Sequence, residues 1–84
     1  MAEVDYSQQA AEQLEDLETE TAERIVSKLD DIVWKPEHYL KRLSNSPYYR
    51  LRIGDYRAII DWQRNEDPEV LFVRDVDKRP NIYD

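Results

Sequence analysis

Thirteen consecutive residues, YYRLRIGDYRAII at positions 48–60, set Arg50, Arg52 and Arg57 into an otherwise apolar run. Guanidinium groups are planar and permanently charged, and they donate paired hydrogen bonds to a single phosphate or carboxylate. Side chains alternate along an extended strand, so Arg50 and Arg52 point one way while Leu51 and Ile53 point the other. A tight turn at Gly54-Asp55, the chain's only glycine, brings the next segment alongside and lets Arg57 reach the same surface. Lys78 and Arg79 leave the last apolar segment near one end of that surface, and Tyr83 follows closely enough to return over it. Cations crowded on one face repel each other, and folding does not require them there. A polyanion relieves the repulsion, and a tyrosine adds a stacking surface for an unpaired base. The competing arrangement pairs the arginines singly with Asp55, Asp61, Asp75 or Asp77 across strands, in the manner of ordinary, weak surface ion pairs. For the set as a whole, the residue types point to an anion site suited to phosphate.

The elements that must carry these residues follow from periodicity. EVDY at 3–6 alternates and reads as a short first strand. Ser7 is placed to cap a helix whose apolar stripe is Ala10, Leu14 and Leu17. After a break near residues 18–20, with Thr19 or Thr21 as cap, a second helix carries Ala22, Ile25, Val26, Leu29, Ile32 and Val33 on one face. Pro36 disfavours the α conformation at Lys35, so this helix is expected to end near Trp34. The polar segment 36–47 connects onward, pinned by Leu40 and Leu43. Strands at 48–53, 56–63 and 70–76 then form two hairpins in series. The order β-α-α-β-β-β predicts an α+β fold, with two N-terminal helices packed on one face of a mostly antiparallel four-stranded sheet.

Composition bounds the rest. A chain of 84 residues predicts one domain, residues 1–84. Hydrophobic content of 40 %, with two tryptophans and six tyrosines, argues for a packed core despite 37 % charged residues. No cysteine is present, which excludes disulfides and thiolate metal sites and favours the cytoplasm. No apolar run is long enough to span a bilayer, and the acidic N-terminus does not read as a signal peptide. The formal net charge of -7 is unevenly spread: residues 1–34 hold ten acids and two bases, residues 35–84 nine acids and ten bases. A basic sheet face opposite an acidic helical face is the expectation. The acidic excess itself fits adaptation to high salt or ordinary solvated helix faces.

Other conspicuous residues have plainer readings. His38, the single histidine, falls outside the arginine block and reads as a surface or packing residue rather than a general base. Asp75 and Asp77 lack a third oxygen ligand and read as partners of Arg74 or Lys78, so no metal site is expected. Trp34 and Trp62 read as core anchors.

The YRLRIGDYR block after two helices, the apolar last strand and the closing KRPNIY together resemble the RelE/ParE superfamily of toxins from type II toxin–antitoxin pairs. The resemblance spans nearly the whole chain. Its RelE branch implies a ribosome-dependent endoribonuclease that cuts messenger RNA in the A site, the ribose 2′-OH attacking the adjacent phosphate to leave a 2′,3′-cyclic phosphate. Carried over by position, the catalytic set is Arg50, Arg52, Arg57, Arg79 and Tyr83, with Arg50, Arg52, Lys78 and Arg79 binding RNA. Related toxins carry lysines where this chain has Arg50 and Arg52. Arginine is a poor general base, so the implied role is stabilisation of the pentacovalent phosphorane. Arg79 would neutralise the leaving oxygen, and Tyr83 would stack on the base or take the 2′-OH proton. The resemblance also implies a cognate antitoxin, the ribosome and messenger RNA as partners, with no small-molecule cofactor and no membrane. Two alternatives stay open: a ParE-like, non-catalytic inhibitor of DNA gyrase, and a decayed toxin that only binds its antitoxin.

Overall fold

The computed structural model describes residues 1–78; Arg79 and Tyr83 lie outside the described residues. The elements are β1 (Glu3–Tyr6), α1 (Gln8–Glu15), α2 (Thr19–Ile32), a 3-10 turn (Pro36–His38), β2 (Lys41–Arg42), β3 (Tyr49–Ile53), β4 (Tyr56–Gln63) and β5 (Val70–Lys78). One sheet holds all the strands in the order β1-β5-β4-β3-β2. Strands β3, β4 and β5 form the expected antiparallel meander, and β1 joins its edge parallel to β5. The sheet is therefore mixed and gains a fifth, two-residue strand within what reads from sequence as a polar connection. That strand forms because Leu40 and Leu43 hold the segment against the body and lay Lys41 and Arg42 beside Arg50 and Tyr49.

Local sequence accounts for the boundaries. The Ser7 hydroxyl accepts from the Ala10 N–H at 3.0 Å and donates to the Arg74 carbonyl at 2.8 Å, so it caps α1 and ties it to β5. At α2 the cap position belongs to Glu18, without a side-chain cap bond, and Thr19 is already helical; neither Thr19 nor Thr21 is the cap. The helix closes at Ile32, and Lys35 lies outside the α region at φ -148°, ψ 69°, consistent with the restriction that Pro36 places on it. Gly54 turns the β3–β4 hairpin at φ +59° while Asp55 keeps a negative φ, the pattern of a II′ turn.

Ile25, Leu29 and Ile32 of α2, with Ala10 of α1, bury their side chains against Leu51, Ile53, Ala58, Ile60, Leu71, Val73 and Val76 of the sheet. Trp62 joins this core as expected, its indole N–H donating to Glu69 Oε1 at 2.9 Å. Trp34 does not. It follows the end of α2 and stands 70 % exposed, because the turn after Ile32 carries it past the sheet.

Tyr6 packs against the core with its hydroxyl buried and without a hydrogen-bond partner. Burial, and secondarily the nearby Asp30 carboxylate, push its phenol from 10.0 up to about 12. The folded state thus holds a proton that the unfolded chain releases first. The stability tied to that proton is complete below about pH 10 and is lost as pH rises towards about 12. In Tyr6→Phe this part of the alkaline decline should vanish, and neutral-pH stability should hold or rise because an unpartnered buried hydroxyl is gone. Urea unfolding across an alkaline pH series checks this; identical pH dependence in both proteins would contradict it.

Candidate nucleic-acid interface

Cross-strand partners share a sheet face, so the register lays out the surface opposite the helices row by row. Nearest the Gly54 turn lie Asp77, Arg57 and Arg52, on β5, β4 and β3. The next row is Asp75, Ile59, Arg50 and Lys41. Beyond it come Asp5, Phe72 and Asp61, and then Glu3, Val70 and Gln63. Arg50, Arg52 and Arg57 thus share one corner of the open face, as alternation predicts. Arg52 and Arg57 stand directly opposite each other.

The whole face is not basic, however. Alternation along β4 puts Asp61 on it, β5 adds Asp77, and the pairing of β1 with β5 adds Glu3 and Asp5; Asp75 is in register with this face but its carboxylate is drawn to α1. The charge divides the face into a basic β2–β4 corner and an acidic remainder. Within the basic corner, environments differ. Arg57 is 8 % exposed, with Arg52 on one flank and Asp77 on the other, whereas Arg50 is half-buried and Arg52 exposed. Arg57 is thus largely enclosed at this corner, while Arg52 is open to solvent.

Two sequence expectations change here. Lys78 lies opposite Tyr56, in register with the helix-side face, so its position does not share the row of Arg57. Asp75 is held by α1 rather than by Arg74: Gln9 Nε2 and Gln13 Nε2 donate to its Oδ1 at 3.0 and 2.5 Å. Gln13 Oε1 in turn accepts from the Val76 N–H at 2.6 Å, so one glutamine takes over where β1 has ended. The cause is an irregularity of the β4–β5 ladder, where Ile59 pairs with Asp75 but Ile60 with Val73. Arg74, the extra residue, places its guanidinium 4.5 Å from the centre of the Tyr48 ring. Asp77 Oδ1 accepts from the Lys78 backbone N–H at 2.7 Å. Arg74 and Tyr48 add an aromatic–cation pair that strand patterning missed, because the bulge leaves no sequence signal.

His38 is an exposed surface residue. It lines a cavity of about 260 Å³ together with Lys28, Tyr39, Lys41, Arg50 and Arg52. The 3-10 turn that starts at Pro36 brings it back to the β3 edge. On the helical side, a groove of about 450 Å³ runs between α1 and α2, floored by Leu14, Leu17, Ala22 and Val26 and rimmed by Glu23 and Asp30. Among the described residues no group of three His, Cys, Asp or Glu side chains could hold a metal ion, and no helix is long and apolar enough to cross a membrane.

Solved structures with a similar architecture include chains of toxin–antitoxin complexes. One chain of the archaeal RelE–RelB complex from Pyrococcus horikoshii superposes with a TM-score of 0.76 at 22 % identity, covering 96 % of this chain and 98 % of that one. A chain of the RelBE2 toxin–antitoxin complex from Mycobacterium tuberculosis gives 0.79 at 20 % identity, over 93 % and 98 %. A chain of the intact RelBE complex from E. coli gives 0.74 at 24 % identity, over 93 % and 96 %. A search of curated proteins gives no match. The sequence profile of the family described as "ParE toxin of type II toxin-antitoxin system, parDE" matches residues 4–83. With that profile spanning almost the entire chain and the RelE-type fold beneath it, the protein belongs to the RelE/ParE superfamily of type II toxins.

Proposed function

We propose that this toxin is a cytoplasmic, ribosome-dependent endoribonuclease that cleaves messenger RNA by internal attack of a ribose 2′-OH on the neighbouring phosphate. The observation that carries this reading is the Arg52–Arg57 pair, directly opposed across β3 and β4 with Arg50 beside it. In the reaction the 2′-oxygen bonds to phosphorus, the 5′-oxygen departs, and negative charge grows on the non-bridging oxygens. Three guanidinium groups fixed on a rigid hairpin meet that charge without having to reorganise. Guanidinium groups do not give up a proton at neutral pH, so proton transfer falls to Tyr83 or to groups of the ribosome, while Arg79 neutralises the charge on the leaving oxygen.

The partner is a cognate antitoxin, for which the apolar floor and acidic rim of the α1–α2 groove offer a seat to an amphipathic helix. Co-expression with the neighbouring short reading frame should yield a stable complex at both low and high salt.

A second reading, non-catalytic inhibition of DNA gyrase, draws on the ParE profile itself. One pair of experiments separates the two. Primer extension on messenger RNA after induction should reveal cuts in phase with codons, and gyrase supercoiling should be unaffected by the purified toxin. Full toxicity with intact messages and blocked supercoiling would overturn the nuclease reading.

A further inference from the structure

Residues 1–34 contain only two bases, Arg24 and Lys28, among ten acids. Four residues apart on α2, they fall on one helix face, and both turn towards the outer edge of β3. A cavity of about 450 Å³ there is lined by Arg24, Ser27, Lys28, Asp31, Arg52 and Gly54. It adjoins the cavity of His38, Tyr39, Lys41 and Arg50, since Lys28 and Arg52 line both. The combined groove gathers five lysines and arginines against one carboxylate, Asp31. Strand β2 pairs only with Tyr49 and Arg50, so among the described residues the outer edge of β3 from Leu51 to Ile53 carries no strand. The Lys28 ammonium lies 4.5 Å from the centre of the Tyr39 ring, which is itself 44 % exposed.

The Lys28–Tyr39 contact and the packing of Arg24 against Gly54 hold these cations in place, but five bases beside one carboxylate leave an excess of positive charge along this edge. A bound polyanion offsets that excess. We propose that the groove between α2 and the free edge of β3 is a second phosphate subsite for single-stranded RNA. Lys28 and Lys41 hold a backbone phosphate adjacent to the one that Arg50, Arg52 and Arg57 engage, and Tyr39 offers its ring to a neighbouring base. This rests on the nuclease reading for the identity of the strand and extends it to residues outside the arginine block. Lys28 and Lys41 are binding residues here and touch no reacting atom.

The test uses the full-length toxin and a six-nucleotide single-stranded RNA carrying 2′-O-methyl groups throughout, which cannot be cut. Binding is measured across a salt series for wild type and for the Lys28→Gln/Lys41→Gln double variant, whose fold is checked by thermal melting. Because the two lysines share one phosphate, its loss should reduce the slope of log K against log salt by about 0.7 for a single strand. On ribosome-bound message the same variant should raise KM and leave kcat unchanged. No binding by the wild type, or an unchanged slope in the folded double variant, overturns the subsite. Unchanged RNA binding with weakened antitoxin affinity also overturns it, and assigns the groove to an acidic antitoxin segment instead. Failure of the nuclease reading looks different: the wild type binds the uncleavable RNA with the steeper slope yet leaves ribosome-bound message intact.

Discussion

Arg52→Ala and Arg57→Ala should each slow single-turnover cleavage of ribosome-bound messenger RNA by about 10²-fold or more, as loss of one charge-stabilising donor does in other phosphoryl- and acyl-transfer sites. The two variants should nevertheless differ. Arg52 is exposed, so its loss removes charge from the ligand-facing corner and leaves thermal stability nearly untouched. Arg57 is buried beside Asp77 in register, so its removal also strips a carboxylate of its cationic neighbour and should lower the melting temperature. Arg50→Lys keeps the charge and should be the mildest of the series. A folded Arg52→Ala/Arg57→Ala double variant that cuts at the wild-type rate would remove the basis for the nuclease site.

The largest effect on stability is expected from Leu29→Ala. Leu29 is wholly buried midway along α2, between Ile25 and Ile32 on the stripe that covers the sheet. Truncating such a residue costs about 2–5 kcal/mol. A chain of this length has roughly 4–13 kcal/mol in total, at about 0.05–0.15 kcal/mol per residue. Urea unfolding should therefore show a much lower midpoint with a similar slope. Val26→Ala provides the contrast, since Val26 is only half-buried in the outer groove. Its cost to the isolated toxin should be well under that of Leu29→Ala, while its effect on antitoxin affinity should be the larger of the two. Equal destabilisation by both would mean that the groove is part of the core rather than an open seat.

Periodicity made most of the scaffold legible. The limits of β1 and β4 agree with alternation to the residue, and Ser7 caps α1 as its position before the apolar stripe implies. These features depend on contacts within a few residues, which sequence spacing reports directly. The shared face of Arg50 and Arg52 belongs to the same class, because strand alternation leaves no other arrangement. Membership of the RelE/ParE superfamily was also legible, from the YRLRIGDYR block and its place after two helices.

What the chain order could not convey was where β1 joins the meander and that a short β2 closes its other edge. Only the assembled sheet pairs β1 with β5, and that choice carries Glu3 and Asp5 onto the face expected to be basic, beside Asp61 and Asp77. The β-bulge near Arg74 shifted Asp75 to the glutamines of α1 and Arg74 to Tyr48, against the local pairing that adjacency suggested. His38, Lys28 and Arg24 are far apart in the chain or carry no strand signal, yet the fold gathers them at the β3 edge. Their convergence depends on where α2 lies across the sheet and on how the turn after Pro36 re-enters it. Secondary structure arises from short-range periodicity, so the sequence determined it; the extent of the anion site arises from long-range packing, so only the tertiary structure decided it.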